Sequence, residues 1–229
     1  MHLSVVIPTL NEAEALPETL RRVRTIAEVK QLIVSDGGSG DATRQIALEA
    51  GAEWITGPKG RGIQCRAGAE RATGEGVIFL HADTWLPPAG GAAIVHALGP
   101  RSGLKPVVAG AFRKQLRAPP LLMRGSRLRS ILWFRLTGRP FADQAIFVRR
   151  TSLEAIGGFP DLPLMEEFEL IRRLRTVGDC VLLVETVSTS ARRFRQQGVL
   201  RTYAQMSRVL WGYARGVNPH QLREWYEGR

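Results

Sequence analysis

The stretch VIFLHADTW, residues 77–85, decides the fold. Val77 to Leu80 form a short continuous apolar run, which suits a strand covered on both faces. The run ends abruptly in His81-Ala82-Asp83. A strand running out into water would explain an imidazole and a carboxylate so close together. A metal–phosphate site at the carboxyl end of a sheet strand would explain them too, and the flanking residues bear on the choice.

Upstream, strand and helix alternate. Leu3-Ser4-Val5-Val6-Ile7 reads as a strand ended by Pro8. Asn11, with Glu14 three residues on, suits a capping box. Pro17 sits well in the first turn of a helix bearing Leu20, Val23 and Ile26. Gln31 to Ser35 is a second strand, broken at Asp36-Gly37-Gly38-Ser39-Gly40. Asp41 caps a helix with Ile46, Ala47 and Ala50. Trp54-Ile55 is a third strand. A glycine-rich turn over 57–62, holding Lys59 and Arg61, precedes a helix through Ile63, Ala67 and Ala69. The alternation predicts an α/β fold, a mostly parallel mixed sheet flanked by helices. Ligands of such sheets bind beyond the carboxyl ends of the strands. Pro8-Thr9, Asp36-Gly37 and His81-Ala82-Asp83 all lie there.

Downstream the pattern is less regular. Strands are expected at 107–112, 144–148 and 181–184, helices at 152–156 and 165–177, and a basic helical tail from about Val199. Residues 113–139 hold eight basic residues and no acidic one, interleaved with Leu121, Leu122, Leu128, Ile131, Leu132, Trp133, Phe134 and Leu136. This stretch admits two readings. Through Arg124, Arg127, Arg129 and Arg135 it could rest on an anionic membrane surface. Alternatively it is a buried helix on the sheet with a solvated basic face. Gly125 and Pro119-Pro120 interrupt a continuous surface helix and favour the second. The tail, with Tyr203, Trp211, Tyr213 and Trp225, leaves three roles open: completing a ligand pocket, dimerising, or touching a membrane.

Composition bounds the answer. The 229 residues, 44% hydrophobic and 23% charged, suffice for one sizeable domain. A formal charge of +11, carried by 28 Arg and four Lys, points to an anionic partner; a genome rich in G and C would also favour Arg. Cys65 and Cys180 form no metal or redox motif, so a reducing compartment is the default. No basic-then-apolar leader precedes Leu3, and no apolar run reaches the roughly 20 residues of a membrane span. The expected location is cytoplasmic, with the inner membrane face as the one place for peripheral contact.

SVVIPTLNE (4–12), VSDGGSGDAT (34–43), GRGIQCRAGAERATGEGVIFLHADT (60–84), FADQAIFVRR (141–150) and GGFPDLPLMEEFELIRRLRTVG (157–178) occur in this order. Together they resemble a small bacterial family-two glycosyltransferase of the GT-A fold, over roughly residues 3–195. The resemblance implies a GT-A domain over 1–195, with a nucleotide-binding half about 1–100 and an acceptor half about 101–195. Residues 196–229 then form a helical C-terminal extension. It also implies an inverting enzyme using a nucleotide-sugar donor, UDP by family habit, and a divalent metal, Mn or Mg. The acceptor is unknown, with a lipid-linked molecule as one candidate.

The resemblance assigns roles residue by residue. Pro8, Thr9, Leu10 and Glu12 would lie along base and ribose, and Asp36 would accept the ring N–H of the base. Lys59, Arg61 and Arg66 are candidates for the diphosphate. His81 and Asp83 stand where the family has Asp-x-Asp. Asp83 would bind the metal; His81, a departure, would contact nucleotide or ligate, and an imidazole ligand favours Mn over Mg. Glu166 and Glu167 replace the family's Glu-Asp, with Glu167 as base and Glu166 as understudy. Glu169 matches a recurrent carboxylate of structural character. Asp143 and Gln144 would line the acceptor pocket, and Arg192 or Arg193 would clamp the diphosphate or join a structural ion pair. From the residues alone, each has a plainer reading: an Asp-Gly turn, a solvated basic loop, or carboxylates favouring a helix N-terminus.

Three other functions compete. A sugar-1-phosphate nucleotidyltransferase would need a glycine-rich loop after the first strand, where this chain has Pro8-Thr9-Leu10-Asn11-Glu12. A nucleic-acid-binding protein suits the charge, but no reader motif is present, so no nucleic-acid partner is expected. A degenerate, non-catalytic nucleotide-binding member is suggested by His81 and Glu167.

Overall fold

The computed structural model describes residues 1–100 and 105–228. Residues 101–104, where the expected boundary between the halves falls, lie outside the described residues, as does the side chain of Leu122.

β1 (Leu3–Thr9), β2 (Val29–Asp36), β3 (Glu53–Thr56) and β4 (Gly76–Phe79) are parallel neighbours in the order β3-β2-β1-β4. Parallel strands need crossovers. Here they pass through α1 (Leu16–Val23), α2 (Thr43–Glu49) and α3 (Arg61–Arg71). The chain continues as β5 (Thr84–Trp85), α4 (Gly90–Ala97), β6 (Val107–Arg117), α5 (Ser126–Thr137), β7 (Ile146–Arg149), α6 (Arg150–Ala155), α7 (Glu166–Leu174), β8 (Asp179–Ser190), α8 (Arg192–Gln197), α9 (Val199–Ala214) and α10 (Pro219–Glu227). β7 runs antiparallel between β4 and β6, β6 pairs parallel with β8, and β5 closes the sheet antiparallel to β8.

Strand alternation splits the core in two. Val5, Ile7 and Ile78 pack with Leu16 and Leu20 of α1 and Ile94 of α4. Val6, Val77 and Phe79 face the other way, onto Cys65 of α3 and Leu170, Ile171 and Leu174 of α7. Each such fully buried side chain contributes about 1.5–3 kcal/mol. α3 lies close against β1, since a Cβ at Gly68 would stand 2.2 Å from Val6 Cγ1. That close approach fixes where Arg61 and Gln64, on the same helix, meet the strand ends.

Several expectations are corrected. Pro8 does not end β1: it stays in register opposite Ser35, beyond the last residue paired with β4, where a missing N–H costs no ladder bond. Asn11 caps no helix; it has φ 55° and its Oδ1 accepts from Gly40 N. β6 and β8 are much longer than the apolar runs expected, because their polar ends pair with each other from Arg113–Thr186 to Arg117–Ser190. The start of the basic stretch, Arg113 to Arg117, is therefore strand. No helix among the described residues is long and apolar enough to cross a membrane.

Candidate active site

The carboxyl ends of β1 and β2 form the floor of one side. Thr9 Oγ1 donates to Asp36 Oδ1 at 2.9 Å, and the Ser39 hydroxyl donates to the same oxygen. Gly38 N and Ser39 N donate to Asp36 Oδ2 at 2.8 and 2.7 Å. A carboxylate offers about four acceptor sites, and all are taken, three by Asp36's own loop and one by Thr9 of β1. The carboxylate shapes the loop; a base N–H could reach it only by displacing one of these donors. Gln64, which no sequence signal marks, ties the two strand ends together. Its Nε2 donates to Thr9 O at 2.7 Å and Ser35 O at 2.8 Å.

Arg61 does not point to open solvent from its loop. Its guanidinium donates to Glu166 Oε1 and to Glu167 Oε2, the latter at 3.1 Å, and lies 3.4 Å from His81 Nε2. Both carboxylates are buried at the first turn of α7. They are aimed by Met165, whose φ of 63° places a non-glycine residue in the left-handed region just before the helix. Such backbone costs about 1–3 kcal/mol and persists where surroundings enforce it. Burial pushes the Glu167 carboxyl up to about 7, against the Arg61 charge and with the Glu166 charge. Burial and then Arg61 hold the His81 imidazole below its usual range, so it is neutral near pH 7. Glu166 Oε2 is buried without a hydrogen-bond partner.

Asp83 is the freest of the candidates. Its carboxylate has one weak bond, from Thr84 Oγ1 at 3.4 Å, while its backbone oxygen accepts from Arg117 Nη2 at 2.6 Å. Arg117 also donates to Ser188 O and stacks on Trp85, 3.6 Å from the ring centroid. Among the described residues no group of three or more His, Cys, Asp or Glu could hold a metal unaided. An unpaired carboxylate beside a neutral imidazole fits a cation that completes its shell with phosphate oxygens and water.

The remaining candidates divide. Lys114 Nζ holds both oxygens of Asp143 at 2.8 Å. Although burial opposes it, the Lys114 charge keeps the Asp143 carboxyl below its ordinary value. Gln144 does not line the pocket. It is fully buried, donating to Phe112 O and accepting from Phe141 N. Arg192 pairs with Glu12 at 3.2 Å, joining two candidates that the sequence placed 180 residues apart. Arg193 bonds Gln205 and lies 4.0 Å over the Tyr226 ring. Arg66 faces away, bonded to Glu70, because five residues of helix turn it from Arg61. Glu169 pairs with Arg172 and Arg173 outside the pocket, as its structural reading expects.

A cavity of about 480 Å³ gathers Leu10, Lys59, Arg61, His81, Asp83, Asp143, Glu166 and Glu167. Lys59 is exposed there and has no ion pair among the described residues. The far wall comes from the C-terminal extension: Met206, Val209 and Leu210 of α9, with Arg223 and Tyr226 of α10. These helices dock through an apolar cluster of Met165, Phe168, Val209 and Leu222. Of the tail's three open roles, completing the pocket is the one its packing serves. Asp83 also borders a second cavity of about 470 Å³ with Trp85, Arg117 and Arg192.

The fold is that of the GT-A glycosyltransferases, with strand ends and a carboxylate-bearing helix facing each other across one cavity. The mannosyltransferase PcManGT of Pyrobaculum calidifontis, solved with GDP-Man and Mn2+, superposes with a TM-score of 0.64 at 18% identity, over 90% of this chain and 64% of that one. TarS of S. aureus, solved with UDP-GlcNAc, gives 0.61 at 18%, over 83% and 58%. Glucosyl-3-phosphoglycerate synthase of Mycobacterium tuberculosis, solved with Mn2+, UDP and glucosyl-3-phosphoglycerate, gives 0.59 at 20%, over 89% and 77%.

By sequence, residues 4–99 match the family model described as Glycosyl transferase family 2. Two curated relatives are each named undecaprenyl-phosphate 4-deoxy-4-formamido-L-arabinose transferase. The one from Pseudomonas fluorescens is 39% identical over 100 residues, 38% of this chain and 29% of the relative. The one from Salmonella typhimurium is 26% identical over 159 residues, 64% and 47%. The chain thus spans less than half the length of either.

Proposed function

We propose that this chain is a glycosyltransferase that moves a sugar from a nucleoside-diphosphate donor to an acceptor hydroxyl, with inversion at the anomeric carbon. The observation that carries this reading is the placing of Asp83 and Glu167 on one cavity, a free carboxylate on the strand-end side and a buried one across from it. The acceptor oxygen bonds to the anomeric carbon as the bond to the diphosphate oxygen breaks. The bonding pair leaves with the diphosphate, and the hydroxyl proton passes to Glu167. A carboxyl held at about 7 suits that task near neutral pH. Asp83 and His81 would hold the divalent cation, which when bound offsets charge growing on the leaving diphosphate. Lys59 adds an exposed cation to the same cavity.

A UDP donor is supported by the UDP bound to two of the structural neighbours, although the third holds GDP-Man. Mn2+ or Mg2+ is supported by neighbours solved with either ion. The names of the curated relatives, undecaprenyl-phosphate sugar transferases, support a lipid-linked acceptor and with it a place beside a membrane.

A panel of UDP-, GDP- and dTDP-sugars with Mn2+ tests the reading. Free nucleoside diphosphate should form, and Asp83→Ala should abolish it. Pyrophosphate release from a nucleoside triphosphate would instead support a nucleotidyltransferase. Without turnover and without nucleotide-dependent thermal stabilisation, the enzyme reading fails.

A further inference from the structure

The basic stretch resolves against the buried-helix expectation. α5 turns Ser126, Ser130 and Trp133 inward: Ser126 Oγ accepts from Leu116 N, and the Trp133 ring stacks 5.2 Å from Phe141, which lines the cavity. Its leucines face out. Leu128, Leu132 and Leu136 are 70%, 55% and 76% exposed, and Leu121 on the preceding turn is 73% exposed. Residues at i, i+4 and i+8 form one stripe, so this is a continuous apolar ridge rather than scattered surface leucines. Exposed Arg124, Arg127, Arg129 and Arg135 accompany it, and no acidic residue occurs between 113 and 139.

An uncovered apolar ridge needs an occupant. A buried protein interface would leave four cations to be matched by carboxylates on the partner. A bilayer takes leucines into its acyl boundary and matches arginines with lipid phosphates in one step. We infer that α5 and the turn before it form an in-plane docking surface for an anionic phospholipid bilayer. Docked this way, the membrane lies one helix away from the cavity, on the side of Phe141 and Trp133. The inference is independent of the transfer reading, because lipid binding needs no donor or turnover.

The test is co-sedimentation of the full chain with phosphatidylcholine vesicles and with vesicles containing phosphatidylglycerol, at low and high salt. Binding should require the anionic lipid and weaken with salt. Leu128→Ser/Leu132→Ser/Leu136→Ser should lose it. Arg127→Gln/Arg135→Gln should weaken partitioning by about 30-fold, each arginine near an anionic surface contributing about fivefold. Circular dichroism and thermal midpoints should match the parent, since these side chains are exposed. No binding to anionic vesicles would overturn the inference. So would undiminished binding by the triple leucine variant, which would assign the attraction to the overall charge of +11. A dimer in light scattering that the same variant dissociates would show instead that a second copy covers the ridge.

Discussion

Arg61 and Glu167 lie 106 positions apart in the chain and meet at 3.1 Å, with Glu166 bonded to the same guanidinium. A cation that the sequence offered to the diphosphate is thus engaged with the carboxylates proposed for the acceptor side. One arginine lies between the two halves of the proposed reaction. A diphosphate that drew Arg61 away would leave Glu167 more basic, which suits binding of donor before acceptor.

The Glu167 carboxyl should set the acid limb of the pH–rate profile. Turnover on a hydroxyl acceptor should rise through about pH 7, where the buried carboxyl ionises. Glu167→Gln should lower kcat by about 10²–10⁴-fold and remove that limb. An acceptor that attacks through a phosphate oxygen is already largely ionised at pH 7 and would lose little. Comparing the two acceptor types in the variant therefore checks the hydroxyl assignment.

The same group makes stability fall as pH rises. Its folded value of about 7 stands above the ordinary 4.5, so the folded state holds the proton more tightly. This contribution is fully present below pH 4.5 and is lost as pH rises through 7. Glu167→Gln should flatten the denaturation midpoint across that window, measured by urea titration at several pH values.

Arg61→Ala should leave two buried carboxylates unmatched. Breaking a buried pair costs about 3–5 kcal/mol. Arg61 is a third exposed, so water screens part of this and about 1–3 kcal/mol is expected. The loss should be largest above pH 7 and shrink toward pH 4.5 as Glu167 takes up its proton. A loss independent of pH would contradict the electrostatic account.

Arg117 holds the backbone at Asp83 and would act on metal binding only through that residue. Arg117→Ala removes the bonds to Asp83 O and Ser188 O and the stack on Trp85. The Mn2+ concentration giving half-maximal turnover should rise about tenfold, within the range seen for residues that orient ligands. Asp83→Ala should abolish turnover at any Mn2+ concentration. Titrating Mn2+ in both variants separates the two roles.

Gly68→Ala should destabilise the chain by about 1–3 kcal/mol. The added methyl meets Val6 at 2.2 Å, so α3 must lift from β1. Thermal unfolding measures the loss. Nucleotide affinity should weaken as well, because Gln64 on α3 fastens the ends of β1 and β2.

Much was legible in the sequence because it is local. Apolar runs of four or five residues, punctuated by Gly, Pro and Asp, gave the alternation of strand and helix. The strand ends near Asp36 and His81-Ala82-Asp83 followed from that alternation, whereas β1 runs past Pro8 to Thr9. The polar ends of β6 and β8 were not legible, since Arg113 to Arg117 and Thr186 to Ser190 are strands only by pairing with each other. Gln144 and Arg66 stand near motif residues but face elsewhere, one into the core and one into solvent.

The α/β class could be read from local pattern, because periodicity and turn chemistry act over a few residues, and the ordered motifs marked which carboxylates to suspect. Only the tertiary structure decided that Arg61 joins Glu166 and Glu167, that Lys114 holds Asp143, that Arg192 finds Glu12, and that the leucines of α5 face outward. Each is a contact between distant segments or a choice between helix faces. Such choices are settled by what packs on the other side, which no local pattern records.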